Sequence, residues 1–172
     1  MSGAPDREVL YAGRIVNLGL ETATLPDGRA VTLEVIRHPG AAAVVPVHDD
    51  GSVTLVHQYR HAGGGMHYEV PAGVLEPGEP PEQCARRELA EEAQLTASRL
   101  EPLGPIHTTP GFTDERIWLF KATGLGVSPA QPEDDEYIRL VRLPVEEVLA
   151  MIRDGRITDA KTICALFLAL TP

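Results

Sequence analysis

The sequence contains few cysteines and no basic clusters. Cys84 and Cys164 are too few for a disulfide framework, and neither stands at the paired spacing of a cysteine-rich metal site. We therefore expect both to be small buried apolar residues. No cluster of lysine and arginine is longer than two residues, and the net charge is −10 with a pI near 5.0. This composition argues against binding to nucleic acid or to anionic membranes.

Long apolar runs are also missing. No run approaches the roughly 18 residues that a membrane span requires, and residues 1–8 are polar. We therefore expect neither a signal peptide nor a membrane span, and we expect a cytoplasmic protein. The 172 residues contain no internal repeat and are long enough for one domain with a substantial core.

The first third of the chain has the character of strands. Residues 9–16 continue as an extended run to Leu25, and a Pro-Asp-Gly turn then leads into residues 30–37, which together predict a hairpin. Residues 41–47 form a continuous apolar run that is typical of a strand buried on both faces. The turn at 48–51 predicts a second hairpin with residues 52–59.

The rest of the chain mixes strands and helices. Strands are predicted at 100–109, 115–125 and 137–143, a solvated polar stretch at 128–136, and a helix at 144–152. A last helix, at about 158–170, is expected to bury Ile163, Leu166, Phe167 and Leu170 at helical spacing. The order of elements predicts an α/β (α+β) domain.

Residues 73–95 form a loop that runs into a helix. Pro80 and Pro81 suit the first turn of a helix. From there, Glu88, Glu91 and Glu92 fall within an arc of about 100° on one helix face. Their mutual repulsion and their hard oxygen donors favour a divalent cation, Mg²⁺ or Mn²⁺. The alternative is an ordinary solvated acidic face.

The same stretch resembles the motif of the Nudix hydrolases. It reads GX5EX7REUXEE, where U is apolar, from Gly73 through Glu79 to Glu92. The resemblance implies hydrolysis of a nucleoside diphosphate linked to another group. It also implies a mixed sheet sandwiched between helices over residues 40–172. Gln94 stands where the family usually has a glycine, at a position that suits a left-handed helix end.

Segments outside the motif resemble one branch of that family, the ADP-ribose pyrophosphatases. These segments are Glu69 to Gly73, Thr109 to Glu115 and Tyr11 to Ile15. The resemblance implies Mg²⁺-dependent cleavage of ADP-ribose to AMP and ribose 5-phosphate, with Mn²⁺ as a substitute ion. It also implies that residues 1–39 form a small antiparallel β subdomain exchanged between the subunits of a homodimer.

The resemblance further assigns roles to individual residues. It implies a metal site made by the backbone carbonyl of Ala72 with Glu88, Glu91 and Glu92. Catalytic parts fall to Glu91, to Glu115 as general base or extra metal ligand, and to Arg87, which lies four residues before Glu91 and can orient it. Substrate contacts fall to Arg60 at a phosphate and to Arg14, Ile15 and Glu34 around the adenine. Ordinary ion pairs, surface charges and a buried isoleucine are the alternatives.

Two other functions stay open on the sequence. A close relative of the same fold would hydrolyse GDP-mannose or another nucleoside diphosphate sugar. A non-catalytic Nudix domain would instead sense such a ligand. The intact glutamates and Arg87 argue against the sensor, since ligand sensing alone does not require them.

Overall fold

The computed structural model describes residues 7–130 and 137–171. The strands are β1 (Arg7–Ala12), β2 (Asn17–Thr24), β3 (Ala30–Arg37), β4 (Ala41–Pro46), β5 (Ser52–Arg60), β6 (Gly65–Glu69), β7 (Ala72–Val74), β8 (Leu95–His107), β9 (Arg116–Val127) and β10 (Ile138–Pro144). The helices are α1 (Pro81–Glu91), α2 (Val145–Arg153) and α3 (Ala160–Leu170). This mixture confirms the predicted α+β class. Most of the polar stretch predicted at 128–136 lies outside the described residues.

Strands β1, β2 and β3 form an antiparallel sheet of their own. The turn predicted at 26–28 is present, with Gly28 at φ 86° and its N–H donating to the Leu25 carbonyl at 2.9 Å. The sequence predicted one hairpin, whereas the structure has two successive hairpins. The first extended run is interrupted at residues 13–16, where the Gly13 N–H donates to the Val16 carbonyl at 2.8 Å.

The core sheet has the order β7-β4-β9-β8, and β4 runs parallel to β9. All six residues of β4 are buried, as predicted for a strand covered on both faces. Because side chains alternate along a strand, Ala42 and Val44 join the cluster around helix α1, which includes Cys84 and Leu89. Ala41, Ala43 and Val45 join the cluster that contains α2, α3 and β5. The sheet therefore lies between helices.

The second predicted hairpin is wrong. Strand β5 pairs with β6 and β10 in a separate sheet of order β10-β5-β6, and its contact with the β4 segment is a bridge between Val47 and Val53. Both long edges of β4 are already paired, with β7 on one side and β9 on the other. The turn at 48–51 therefore carries the chain out of the first sheet and into the second.

Helix α3 packs by Leu166 and Ala165, with Ile163 and Leu170 partly buried, as the spacing predicted. The prediction for Phe167 is wrong, because its side chain is 63% exposed. Phe167 therefore lies on a solvent-exposed face of α3. Cys84 is buried as expected, whereas Cys164 is only partly buried. None of the three helices in the described part of the chain has the length and hydropathy to cross a membrane.

Helix α1 ends at Glu91, and Glu92 caps it with helical angles and an N–H bond to the Glu88 carbonyl at 2.9 Å. Gln94 then takes φ 56°, the one positive φ of a non-glycine residue within 7–130 and 137–171. Its carbonyl accepts from the Ser128 N–H at 2.8 Å. The left-handed position that the family normally gives to glycine is therefore kept here by glutamine.

We expect Gln94→Gly to raise the free energy of unfolding by about 1 kcal/mol, because glycine adopts a left-handed conformation without steric cost. Urea unfolding measures this change. Ala90→Gly, within helix α1, is the matched control and should lower the same quantity by about 1 kcal/mol. An unchanged or lower unfolding midpoint for Gln94→Gly would show that the position is not strained.

Candidate active site

A tight turn and a short helix place the glutamates of the motif. Gly78 takes φ 80°, and the Glu79 N–H donates to the Glu76 carbonyl at 2.9 Å, as in a type II turn with Pro77 and Gly78 at its centre. Pro80 then caps helix α1 in an extended conformation, with a proline at the first helical positions. The glutamates therefore project from a helix whose start is fixed by backbone geometry.

The guanidinium of Arg87 joins three carboxylates. Its Nε and Nη2 each donate to Glu79 at 3.0 Å, and its Nη1 donates to Glu88 at 2.5 Å and to Glu91 at 3.2 Å. The pair with Glu91 is the one that the four-residue spacing predicts. Hydrogen bonds from Arg87 lower the pKa of Glu79 to about 2. One positive charge against three negative charges leaves this group with a net charge of −2.

The carboxylate of Glu88 lies directly against the backbone of Gly73. A Cβ at residue 73 would stand 1.7 Å from Oε1 and 2.1 Å from Cδ of Glu88. Glu88 is 8% exposed, so its carboxylate has little space into which to retreat. The first glycine of the motif is therefore needed to leave room for the glutamate fifteen residues later.

Glu92 holds Ala72, the residue that precedes Gly73. It is 3% exposed, and its Oε2 accepts from the Ala72 N–H at 2.8 Å. Ala72 and Gly73 belong to β7, which pairs with β4. Two buried carboxylates of one helix thus contact two consecutive residues of one strand, and the carbonyl assigned as a metal ligand belongs to that strand.

The groups that this site offers to a metal ion are hard oxygen donors. Within residues 7–130 and 137–171, no three His, Cys, Asp or Glu side chains converge closely enough to hold a metal ion by themselves. Mg²⁺, however, keeps several waters and is usually held by one or two carboxylates together with substrate phosphates. Hard oxygen donors beside a net negative charge fit such an ion. They do not form a site enclosed by protein ligands alone.

Glu115 follows a loop that is attached to the N-terminal sheet. Its Oε2 accepts from the Thr108 hydroxyl at 2.7 Å, and its Oε1 lies 3.7 Å from Nε2 of His38. The Gly40 N–H donates to Nδ1 of His38 at 3.0 Å, so the ring proton is at Nε2 and faces Glu115. No pattern in the sequence indicates that His38 faces Glu115.

The loop itself is bonded to the end of β3. The Ile36 N–H donates to the Phe112 carbonyl at 2.8 Å, and Arg37 pairs with Asp114 at 2.9 Å. Burial opposes ionisation of Asp114, but the hydrogen bonds that it accepts from Arg37 and from the backbone of His38 hold its pKa below the usual value. These contacts set the position of Glu115 from a segment that is distant in sequence.

Arg60 lies on a polar cleft formed with the start of α3. Its Nε and Nη2 each donate to Glu69 at 3.0 Å, so its fork is held by a carboxylate that is 3% exposed. Lys161 also donates to Glu69, and the cleft encloses about 360 Å³. The sequence predicted a phosphate contact for Arg60 and did not predict these partners.

The residues predicted around the adenine lie on the N-terminal sheet and its first turn. Arg14 and Glu34 are exposed, and Ile15 is 57% exposed, so the alternative of a buried isoleucine does not apply. In the described part of the chain, this sheet shares no strand ladder with the sheet that carries Ala72. Within one chain, the structure therefore separates these three residues from the glutamates of α1 by a sheet boundary.

Known proteins resemble this chain over nearly its whole length. The NUDIX domain matches residues 37–166. The ADP-ribose pyrophosphatase of Bacillus subtilis (strain 168) is 37% identical over 162 residues, or 93% of this chain and 88% of that protein. The methanol dehydrogenase activator of Bacillus methanolicus is 38% identical over 92% of this chain and 87% of that protein.

A solved structure supports the fold independently of close sequence similarity. The crystal structure of an ADP compounds hydrolase matches with a TM-score of 0.80 at 22% identity, and the match covers 96% of this chain and 92% of that one. The predicted arrangement of a mixed sheet between helices is thereby confirmed.

Proposed function

The chain belongs to the Nudix family of hydrolases, and we propose that it cleaves the pyrophosphate of ADP-ribose to give AMP and ribose 5-phosphate. The observation that carries this proposal is the group of three carboxylates on Arg87, with its net negative charge, beside the backbone of Ala72 and Gly73. Such a group suits a cation and a polyphosphate. The likeness to an ADP-ribose pyrophosphatase supports the choice of substrate.

We propose a metal site made by Glu88, Glu91, Glu92 and the carbonyl of Ala72, for Mg²⁺ with Mn²⁺ as a substitute. When bound, the ion would screen the pyrophosphate's charge and favour ionisation of an attacking water. Glu91 has the most accessible of these carboxylates, with 35% of its side chain exposed. Arg87 orients it and is itself held by Glu79, which takes no part in the chemistry.

The remaining residues would bind and orient the substrate. Arg60 presents a planar fork that suits a phosphate, and Glu69 keeps the fork in one orientation. Glu115 would accept a proton from the attacking water or act as an additional metal ligand. Arg14, Ile15 and Glu34 would hold the adenine, and their exposure on the N-terminal sheet is compatible with that role.

We also propose a homodimer formed through residues 1–39 as a small subdomain. The sheet of β1, β2 and β3 and the turn at residues 13–16 expose six large apolar side chains, namely Val9, Leu10, Tyr11, Ile15, Val16 and Leu33. Exposed apolar groups of this extent mark contact surfaces on proteins. A partner covering them would bring its own adenine contacts beside the neighbouring site. The cytoplasmic location stays a prediction from the sequence.

A panel of substrates with Mg²⁺ tests the proposed reaction. We expect the highest kcat/KM for ADP-ribose, with GDP-mannose as the main competitor. Chelation should abolish turnover, and Glu88→Gln should lower kcat by at least ~10², because it removes a ligand charge. Glu82→Gln is the matched control on the same helix, since Glu82 is exposed and pairs with Arg86. A higher kcat/KM with GDP-mannose would identify that compound as the preferred substrate instead. The absence of turnover with every compound would favour a non-catalytic, ligand-sensing domain.

The role of Glu115 has its own test. As a general base it contributes in the transition state, so Glu115→Gln should lower kcat by roughly 10² to 10⁴ with little change in KM. Added Mg²⁺ should restore much of the rate if Glu115 is instead an outer metal ligand. Glu101→Gln, at an exposed glutamate paired with Arg99, is the control. Parental kcat in Glu115→Gln would exclude both roles.

The proposed dimer can be tested by sedimentation. We expect the mass of two chains, and we expect Leu10→Glu to give single chains because it places a charge in the apolar contact. Val127→Glu changes an apolar residue that is 87% exposed outside this sheet and should leave the mass unchanged. A parental protein that sediments as one chain would contradict the dimer.

A further inference from the structure

The chain crosses from one sheet to the other immediately before the proposed metal ligand. Strand β6 ends at Glu69 and β7 begins at Ala72, so only Val70 and Pro71 join the sheet of Arg60 to the sheet of the site. The backbone N–H and C=O groups between two strands are not paired within the ladder of either sheet. Because an unpaired buried polar group is costly, each of them needs a specific hydrogen-bond partner.

Those partners come from three different elements. The Val70 N–H donates to the hydroxyl oxygen of Thr162 at 2.9 Å, and the Pro71 carbonyl accepts from the Val44 N–H at 2.9 Å. The Ala72 N–H donates to Glu92 at 2.8 Å. Three consecutive residues are thus held by α3, by β4 and by α1. The bond that Thr162 accepts from Val70 can be removed by a single side-chain substitution on α3.

Thr162 is completely buried in the first turn of α3. Asp159 caps this turn, since its carboxylate accepts from the Thr162 N–H at 2.9 Å. The packing of α3 rests on Ala165, Leu166 and Ala169. A valine at residue 162 would fill the same volume, so the hydroxyl adds directional bonding to the crossing rather than apolar contact.

Lys161, next to Thr162, holds Glu69, the residue that immediately precedes the crossing. It donates to Glu69 and, at 3.0 Å, to Asp159, and its side chain is only 14% exposed. Glu69 accepts both donors of the Arg60 fork. Lys161 therefore adds a second positive charge beside a buried carboxylate that also pairs with Arg60.

We propose that the first turn of α3, residues 159–162, is a positioning element for the hydrolytic site. Thr162 sets the crossing and thereby the carbonyl of Ala72, while Lys161 sets the Arg60 fork through Glu69. This inference rests on the proposed function, in which Ala72 binds the metal and Arg60 a phosphate. The adjacent residues Thr162 and Lys161 should therefore have separable effects, the first on metal binding and the second on substrate binding.

The experiment compares Thr162→Val, Thr162→Ser and Lys161→Met with the parental protein. Mn²⁺ binding is measured without substrate, by the electron paramagnetic resonance signal of the free ion, and kcat, KM and Tm are measured alongside. We expect Thr162→Val to weaken Mn²⁺ binding and to lower kcat by about 10-fold each, since small misplacements of a catalytic group are costly. Thr162→Ser should recover both to within about 3-fold, because it keeps the hydroxyl acceptor.

Lys161→Met should raise KM by about 10-fold and leave Mn²⁺ affinity at the parental value. Thr171→Val, at the opposite end of α3, is the matched control and should alter Tm alone. Parental Mn²⁺ affinity and kcat in Thr162→Val, or equal losses in Thr162→Val and Thr162→Ser, would overturn the positioning role.

The two proposals fail separately in this design. A parental protein that binds Mn²⁺ without hydrolysing any nucleoside diphosphate would contradict the proposed function, and weaker binding in Thr162→Val would still support the positioning role. A parental protein that hydrolyses ADP-ribose, with a fully active Thr162→Val variant, would contradict only the positioning role. Absence of both Mn²⁺ binding and hydrolysis in the parental protein would overturn both.

Discussion

The arrangement of helix α1 depends on one guanidinium that faces three carboxylates. Arg87 bonds to Glu79, Glu88 and Glu91, and its planar fork on Glu79 fixes the orientation from which it reaches the other two. A lysine at this place would offer a single charge without that fork. Because the group keeps a net charge of −2, it is organised but not neutral, and a divalent cation would complete the charge balance that Arg87 leaves unfinished.

The close approach of the carboxylates of Glu88 and Glu92 to the backbone of β7 is the second constraint. Glu88 and Glu92 point from α1 towards β7, where Gly73 offers no Cβ and Ala72 offers an N–H. Buried carboxylates are stable only when hydrogen-bonded or paired, so these contacts hold the helix and the strand in the observed register. The proposed ligands are therefore placed by contacts that also hold the fold together.

Local patterns predicted the parts of the site that lie within one segment. The pair of Arg87 with Glu91, the arc of three glutamates and the left-handed Gln94 all follow from spacing or from the motif over 73–95. Contacts between distant segments left no such signal. The hairpin of β4 with β5 was wrong because β4 is paired on both edges by strands that come later in the chain. The bond between Thr162 and Val70 spans 92 residues, and helical periodicity indicates only that a residue faces inward.

The loop of Glu115 shows why such distant contacts matter for the chemistry. Arg37 at the end of β3 lies between Glu21 of the N-terminal sheet and Asp114 of the loop, and His38 faces Glu115 directly. A change in the position of the N-terminal sheet would therefore move the loop with it. On the other side, α3 holds the crossing that leads to Ala72. Helix α1 supplies the carboxylates, while two elements far away in sequence hold Glu115 and Ala72, the groups proposed to act with them.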